Sequence, residues 1–177
     1  MASNFGRDRQ KAKKAEHLVC EVLSNATIDY SIEDVADVPE YFYKGDIKVL
    51  GACNDEYYID VKDDSRIAET GNVLCEAKVY SYREQRWLKG NMDSDYNALA
   101  VVAQQKKVIY IIDFDVLKRI YKSGKHYSKD HYDDYGRLLQ KTVGTLCSLK
   151  SIERAGGLLY IIKYDDAHNP TDIKKIA

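Results

Sequence analysis

The sequence lacks the features that mark membrane, exported or disordered chains. No apolar run approaches the length needed to cross a bilayer, and the N-terminus carries no apolar stretch of the kind found in signal peptides. Neither an internal repeat nor a low-complexity tract is visible. We therefore expect a folded chain that is neither exported nor inserted into a membrane.

Cysteines are few and are not arranged as metal ligands. The four thiols, at Cys20, Cys53, Cys75 and Cys147, form no CxxC pair and lie among apolar neighbours. This pattern predicts neither a zinc site nor a disulfide framework. It indicates reduced thiols and a cytoplasmic location.

Charge of one sign is also missing, because the formal net charge is only −1 over 177 residues. A polyanionic partner would have to meet local clusters instead, and basic side chains do crowd the N-terminal stretch and the aromatic-rich region near Trp87. Those side chains are Arg7, Arg9, Lys11, Lys13 and Lys14, then Lys78, Arg83, Arg86 and Lys89. Each cluster taken alone is more typical of a solvated charged face.

With 45% hydrophobic and 31% charged residues, the composition is that of a folded protein, and the length suits one domain over residues 1–177. Periodicity predicts helices at 7–24 and 116–121, a weak helix at 143–153, and a helical or mixed segment at 95–100. It predicts a short extended piece at 27–32, strands at 46–50, 57–62, 72–79 and 108–114, and a last strand at 158–164. Residues 33–40 are expected to be a connector or a poor helix, 87–90 irregular, and 122–137 an exposed loop.

The two segments 46–50 and 57–62 are predicted to form an antiparallel hairpin. If the turn centres on Cys53, paired residues have numbers that sum to 106, so Asp46 falls opposite Asp60. Directly opposed residues on one sheet face have Cβ atoms about 4.5 to 5.5 Å apart, a spacing at which two carboxylates can share one hard cation. The hairpin therefore predicts a carboxylate pair.

Strand alternation adds a lysine to this pair. Lys62 lies on the same face as Asp60, while Ile59 and Val61 point to the other face, toward the core. Hydrolysis of a phosphodiester needs a divalent ion and a cation near the attacking water, and these residues could supply both requirements. An Asp-x-Lys triplet alone is common on the solvent-exposed face of a strand. The hypothesis of phosphodiester hydrolysis therefore depends on the combination of this triplet with Asp46.

Gly45-Asp46-Ile47, the following turn and Ile59-Asp60-Val61-Lys62, preceded by a charged helix containing Glu16, resemble the PD-(D/E)xK nucleases. This superfamily includes restriction endonucleases, Holliday-junction resolvases and phage nucleases, and the resemblance covers Glu16 to about Phe114. Gly45 stands where the motif's name has proline, which many members lack. Thr70 to Glu76 and Ser94-Asp95-Tyr96 also resemble a pattern of phage-type members.

The resemblance implies a restriction endonuclease-like α/β core, a central mixed sheet with an antiparallel hairpin flanked by helices. It implies that Asp46, Asp60 and the backbone carbonyl of Val61 bind Mg²⁺ or Mn²⁺, that Lys62 positions or activates water, and that Glu16 is an accessory acid. DNA is the expected substrate. A homodimer would supply two sites for cutting both strands, although no sequence feature requires one.

Three local alternatives compete with this assignment. Glu76-Ala77-Lys78 is a second acidic-x-Lys triplet at the end of a strand. Glu21 competes with Glu16, but five residues correspond to about 140° of helix rotation, so both cannot face one site. His126, Asp130 and His131 have residue types that bind transition metals, although their polar, tyrosine-rich setting favours a solvated loop. Tyrosines interleaved with lysines there could also contact nucleic acid.

Two other functions remain open from the sequence. A non-catalytic protein could keep the nuclease fold to bind nucleic acid or a protein partner, and a hydrolase could act on small nucleotides. A binding module has no reason to keep Asp46, Asp60 and Lys62 together, which favours catalysis. Fold resemblance alone does not decide among substrates, because function depends on the site and its loops.

Overall fold

The computed structural model describes residues 4–27, 29–41, 43–133 and 135–177, with residues 4–9 described by their backbone alone. Its helices are α1 (Asn4–Ala26), α2 (Ile67–Thr70), α3 (Phe114–Ser123) and α4 (Leu149–Arg154). Its strands are β1 (Ser31–Asp34), β2 (Ile47–Leu50), β3 (Glu56–Asp63), β4 (Asn72–Ser81), β5 (Arg86–Lys89), β6 (Ala98–Ala103), β7 (Val108–Asp113), β8 (Tyr127–Tyr132), β9 (Leu138–Ser148), β10 (Leu158–Tyr164) and β11 (Pro170–Lys175). Short 3-10 helices occupy Pro39–Tyr41, Asn91–Asp93 and Gln104–Lys106.

A seven-stranded mixed sheet forms the centre of the fold, in the order β1-β2-β3-β6-β7-β10-β11. β3 and β6 run parallel, and the other neighbouring pairs are antiparallel. All six residues of β6 are apolar and buried, as expected for a strand covered on both faces. The predicted mixed α/β class with an antiparallel β2–β3 hairpin is confirmed.

The two faces of this sheet are covered differently. Helix α1 packs on one face because Ala15, Val19 and Val22 recur at helical spacing and meet Ile59 in one apolar cluster. The other face meets α3, α4 and a second, four-stranded antiparallel sheet in the order β5-β4-β9-β8. Residues on β3 therefore point alternately toward α1 and toward the second sheet.

The second sheet is the main feature that the sequence interpretation missed. Residues 127–132 of the predicted loop 122–137 form strand β8, and the predicted weak helix 143–153 is the end of β9 followed by the short helix α4. Residues of β9 alternate between the core and a partly exposed face, and β-branched Thr142, Val143 and Thr145 suit a strand better than a helix. Cross-strand pairing with β4 and β8 thus overrides the weak local helical pattern.

Four smaller predictions were also wrong. Residues 87–90 were expected to be irregular but largely belong to strand β5, and residues 95–100 lead directly into β6 without forming a helix. β11 follows β10, which was predicted to be the last strand, and β1 runs from the end of the extended piece predicted at 27–32 into Glu33 and Asp34, where a connector was expected. Within the described part of the chain, no helix is both long and apolar enough to cross a membrane.

Candidate active site

The candidate site lies where β2 begins and β3 ends. Pairing of Ile47 with Ile59 and of Leu50 with Glu56 follows the predicted register. Asp46 directly precedes β2: its backbone N–H donates to the Ile59 carbonyl at 2.9 Å, and its Oδ2 accepts the Val61 N–H at 2.7 Å. These two bonds lie on either side of Asp60 along β3, so the structure brings the two predicted carboxylates together.

Gly45 allows this close approach of the two strands. Its φ is +134°, and a Cβ added there would lie 2.9 Å from the carbonyl oxygen of Ile59. No L residue adopts such a conformation without strain, and the carbonyl is backbone that cannot move aside cheaply. Gly45 therefore has a local structural role in holding Asp46 against β3.

We expect Gly45→Ala to destabilise the protein by about 1–3 kcal/mol, because it adds a contact with β3 to a strained backbone. Thermal unfolding measures the loss. Gly71→Ala is the matched control, since Gly71 also has a positive φ, of 63°, but nothing lies within 4 Å of an added Cβ. Equal losses in the two variants would contradict a role for the close approach at Gly45.

Asp60 lies on the face of β3 that meets the second sheet, beside Asp46. Burial raises its pKa to about 8, the negative charges of Asp46 and Glu16 act in the same direction, and Lys62 opposes them. Among the described residues, no hydrogen-bond donor contacts the Asp60 carboxylate. A half-buried carboxylate with acidic neighbours and no donor is costly when ionised, unless a cation accompanies it.

Glu16 joins the same acidic cluster from helix α1. Burial raises its pKa to about 7, with further contributions from Asp46, Asp34 and Asp37 against the charge of Lys13. Lys13 also forms an ion pair with Asp37, which ties α1 to the segment after β1. The helix therefore presents Glu16 to the aspartates.

Glu21 faces elsewhere, as the rotation between the two glutamates predicts. It contacts Nδ1 of His168, and the Nε2 of His17 lies 3.2 Å away. The hydrogen bond with His168 lowers its pKa. Glu21 thus belongs to the contact between α1 and the β10–β11 turn.

Lys62 reaches from the seven-stranded sheet to the second sheet. Its Nζ donates to the carbonyl of Leu74 in β4 at 2.8 Å. Its charge also lowers the pKa of Asp60 against the larger effect of burial. The contact holds the ammonium group beside Asp60, at the boundary between the two sheets.

The sequence interpretation missed two neighbours of the site. Asp34 ends β1, pairs with Ile47 next to Asp46, and its charge contributes to the raised pKa values of Asp46 and Glu16. A strand assignment for residues 31–34 would have placed it there. Tyr96 is buried, and its pKa is raised by burial and then by the charge of Asp60.

The alternative triplet lies on the second sheet. Glu76 and Lys78 flank a bulge in β4, and the Lys78 ammonium lies 4.4 Å from the centre of the Trp87 ring. The negative charge of Glu76 contributes to the raised pKa values of Cys75 and Tyr96. The structure thus places this triplet on a different sheet from Asp46.

Other predicted residues lie away from the carboxylates. Nδ1 of His126 is 2.9 Å from Oγ1 of Thr145, and Asp130 and His131 pair with Lys141 and Gln140 across β8 and β9. The side chains of Arg7 and Arg9 lie outside the described part of the chain, while Lys11 and Lys14 are exposed on α1.

Oxygen atoms dominate the donor set at this site. Among the described residues, no group of three or more histidine, cysteine, aspartate and glutamate side chains is arranged to hold a metal ion. Mg²⁺ is commonly bound through one or two carboxylates, with water and substrate phosphates completing its shell. Asp46 and Asp60, with the carbonyl of Val61, fit that smaller set.

Comparison of the chain with known protein families, curated proteins and solved structures finds no match.

Proposed function

We propose that this chain is a divalent-metal-dependent nuclease that hydrolyses DNA phosphodiester bonds as an endonuclease. The observation that carries the proposal is the placement of Asp46, whose two bonds to β3 lie on either side of Asp60. The Asp60 carboxylate meets no donor among the described residues, while Lys62 lies on the same strand face. Two carboxylates and a lysine that converge where β2 begins and β3 ends suit phosphodiester hydrolysis.

Asp46, Asp60 and the Val61 carbonyl would hold Mg²⁺ or Mn²⁺. When bound there, the ion would stabilise negative charge on the phosphate and lower the pKa of a water molecule. Asp46 is fixed through Oδ2 by the Val61 N–H, and its Oδ1 has no donor among the described residues. The hydrogen bond thus orients the carboxylate and leaves one oxygen for a ligand.

Lys62 and Glu16 have supporting roles in this proposal. The Lys62 ammonium has three donors, of which one goes to Leu74, so two remain to orient the attacking water or a phosphate oxygen. Glu16 is an accessory acid beside Asp46 that can accept a hydrogen bond from water at the site. No covalent enzyme intermediate is required.

The test is cleavage of supercoiled plasmid, branched DNA and single-stranded DNA with Mg²⁺, Mn²⁺ or EDTA. We expect cleavage with either ion, none in EDTA, and a loss of about 10²-fold or more in Asp46→Asn, where the amide keeps the Val61 hydrogen bond but removes the charge. Glu33→Gln, an exposed acid on β1, is the matched control and should cleave like the native chain.

Absence of cleavage by the native chain on all three substrates would reject the catalytic proposal. DNA binding without cleavage would then favour the non-catalytic nuclease-fold module. Cleavage that persists in EDTA, or that survives Asp46→Asn, would move the chemistry away from this carboxylate pair.

A further inference from the structure

A pocket of about 260 Å³ lies on the outer face of the second sheet. We call it the sheet pocket, and its lining is Asp64, Arg66, Thr70, Asn72, Leu74, Tyr127, Lys129, His131, Thr142, Gly144 and Leu146. The lining residues of β4, β8 and β9 all lie on the face opposite the core residues Val73, Cys75 and Cys147. Gly144 lets β4 approach β9 closely, since a Cβ added there would lie 2.4 Å from the carbonyl oxygen of Cys75.

Two polar atoms in the sheet pocket lack partners. Thr142 is only 3% exposed, and its Oγ1 accepts and donates no hydrogen bond among the described residues; the same holds for Nε2 of His131. Burying a polar group without a partner costs about 1–3 kcal/mol, so such groups are rare unless something binds them. Two of them in one pocket point to a ligand with hydrogen-bonding atoms.

The charge of the sheet pocket selects the kind of ligand. Arg66 and Lys129 are exposed basic side chains, and Lys129 forms no ion pair among the described residues. Asp64 is the acid in the lining. Its Oδ1 accepts a hydrogen bond from the backbone N–H of Arg66 at 3.0 Å, and the Nε of the Arg66 side chain lies 3.9 Å from the same oxygen. Arginine, lysine, histidine and a hydroxyl together match the oxygens of a phosphate.

Apolar surface adjoins these donors. Tyr127 is 57% exposed and Leu146 is 54% exposed, and both line the same pocket. An exposed aromatic ring beside basic groups is the arrangement on which unpaired bases stack. The sheet pocket therefore offers surfaces for both the phosphate and the base of a nucleotide.

The sheet pocket adjoins the candidate active site through two residues. Asp64 follows β3 and lies at most about 13 Å along the chain from Asp60, at 3.3 Å per residue. Leu74 lines the pocket, and its carbonyl accepts the hydrogen bond from Lys62. A strand leaving the carboxylates past Lys62 would reach this face of the second sheet.

We propose that the sheet pocket binds one nucleotide of the single strand whose backbone lies at the carboxylate pair, with its phosphate on Arg66, Lys129, His131 and Thr142. This proposal rests on the proposed nuclease function and specifies where that substrate is held. Tyr127 stacks on the base.

The experiment measures binding without cleavage. A short fluorescein-labelled single-stranded oligodeoxynucleotide is titrated with the full chain in EDTA, and anisotropy is recorded at several salt concentrations. The variants are Lys129→Gln, Arg66→Gln and Thr142→Val. Lys174→Gln, an exposed lysine of β11 on the other sheet, removes the same charge away from the pocket.

We expect Lys129→Gln and Arg66→Gln each to weaken binding about threefold to tenfold and to reduce the slope of log affinity against log salt by about 0.7, the value for one phosphate contact on a single strand. Thr142→Val should weaken binding with no change in that slope, because it removes a hydroxyl and no charge. Lys174→Gln should behave as the native chain. Unfolding curves check that each variant is folded.

The outcomes separate this proposal from the nuclease proposal. If the chain cleaves DNA but the pocket variants bind the oligonucleotide like the native chain, the sheet pocket is not a nucleotide site and the nuclease proposal stands. If the variants lose binding but no substrate is cleaved, nucleotide binding in the sheet pocket is supported and the proposal of catalysis is rejected. No binding of the oligonucleotide, or equal losses in Lys174→Gln, would overturn the pocket proposal.

Discussion

Asp60→Asn is expected to lower the rate of DNA cleavage at least about 10³-fold. We expect the same substitution to make the metal-free protein more stable at pH 8. Cleavage falls because a carboxylate ligand is lost. Stability rises because the ionised Asp60 is half-buried beside Asp46 and has no donor among the described residues. An amide of the same size keeps the packing and removes the charge.

The pKa of Asp60 fixes the pH range of this effect. In the folded protein burial raises that pKa from 3.8 to about 8, so the folded state retains a proton that the unfolded chain releases. Stability contributed by the protonated carboxyl is present below pH 4 and is lost as the pH rises toward 8. Glu16, with a pKa of about 7, acts in the same direction.

Thermal unfolding in EDTA across this range gives the measurement. At pH 8 we expect Asp60→Asn to melt about 5 °C above the native chain, for a gain of about 2 kcal/mol. Mg²⁺ should raise the midpoint of the native chain and leave that of the variant unchanged. Glu33→Gln should follow the native chain throughout. A variant that is less stable in EDTA, or that Mg²⁺ stabilises as much as the native chain, would contradict the cation site.

Lys62→Met is expected to lower the cleavage rate by about 10²–10⁴-fold while Mg²⁺ still stabilises the protein. The lysine orients water or phosphate and is not a metal ligand, so its removal separates catalysis from ion binding. Methionine keeps the apolar stem of the side chain. Loss of the Lys62 charge also removes the effect that lowers the pKa of Asp60, so ion binding should require a higher pH.

Lys78→Met is the matched control for this variant, because Lys78 belongs to the second acidic-x-Lys triplet. It should keep most of the cleavage activity and lose only the contact with Trp87. The readouts are initial cleavage rates and the Mg²⁺-dependent shift of the unfolding midpoint. Loss of activity in Lys78→Met, with retention in Lys62→Met, would transfer the catalytic role to the triplet on β4.

The carboxylate pair could be predicted because its geometry is local. A short hairpin fixes its own register, so the spacing between Asp46 and Asp60 along the chain was sufficient to place them together. Helix α1 could also be predicted from the sequence, since Ala15, Val19 and Val22 form one apolar stripe. Asp34 was missed because the extended piece predicted at 27–32 stops two residues before it, whereas β1 continues to Asp34.

The second sheet could not be predicted for the opposite reason. β4 pairs with β9 across 59 to 76 positions of sequence, for example Val73 with Cys147, and nothing local in β9 or β8 specifies those partners. The polar composition of β8 is that of a loop, and its strand form depends on the hydrogen bonds of β9. The sheet pocket lies on this sheet, so it could not be predicted from the sequence either.

The order of strands along the chain has a consequence for folding. β4 and β5 lie between β3 and the parallel strand β6, and β8 and β9 lie between β7 and β10, so each sheet is built from segments that the other interrupts. Neither sheet corresponds to a continuous fragment that could be expressed alone. With so many contacts distant in sequence, folding should be slow for a chain of this length. Lys62, which bonds to β4, then acquires its final position only when both sheets have assembled.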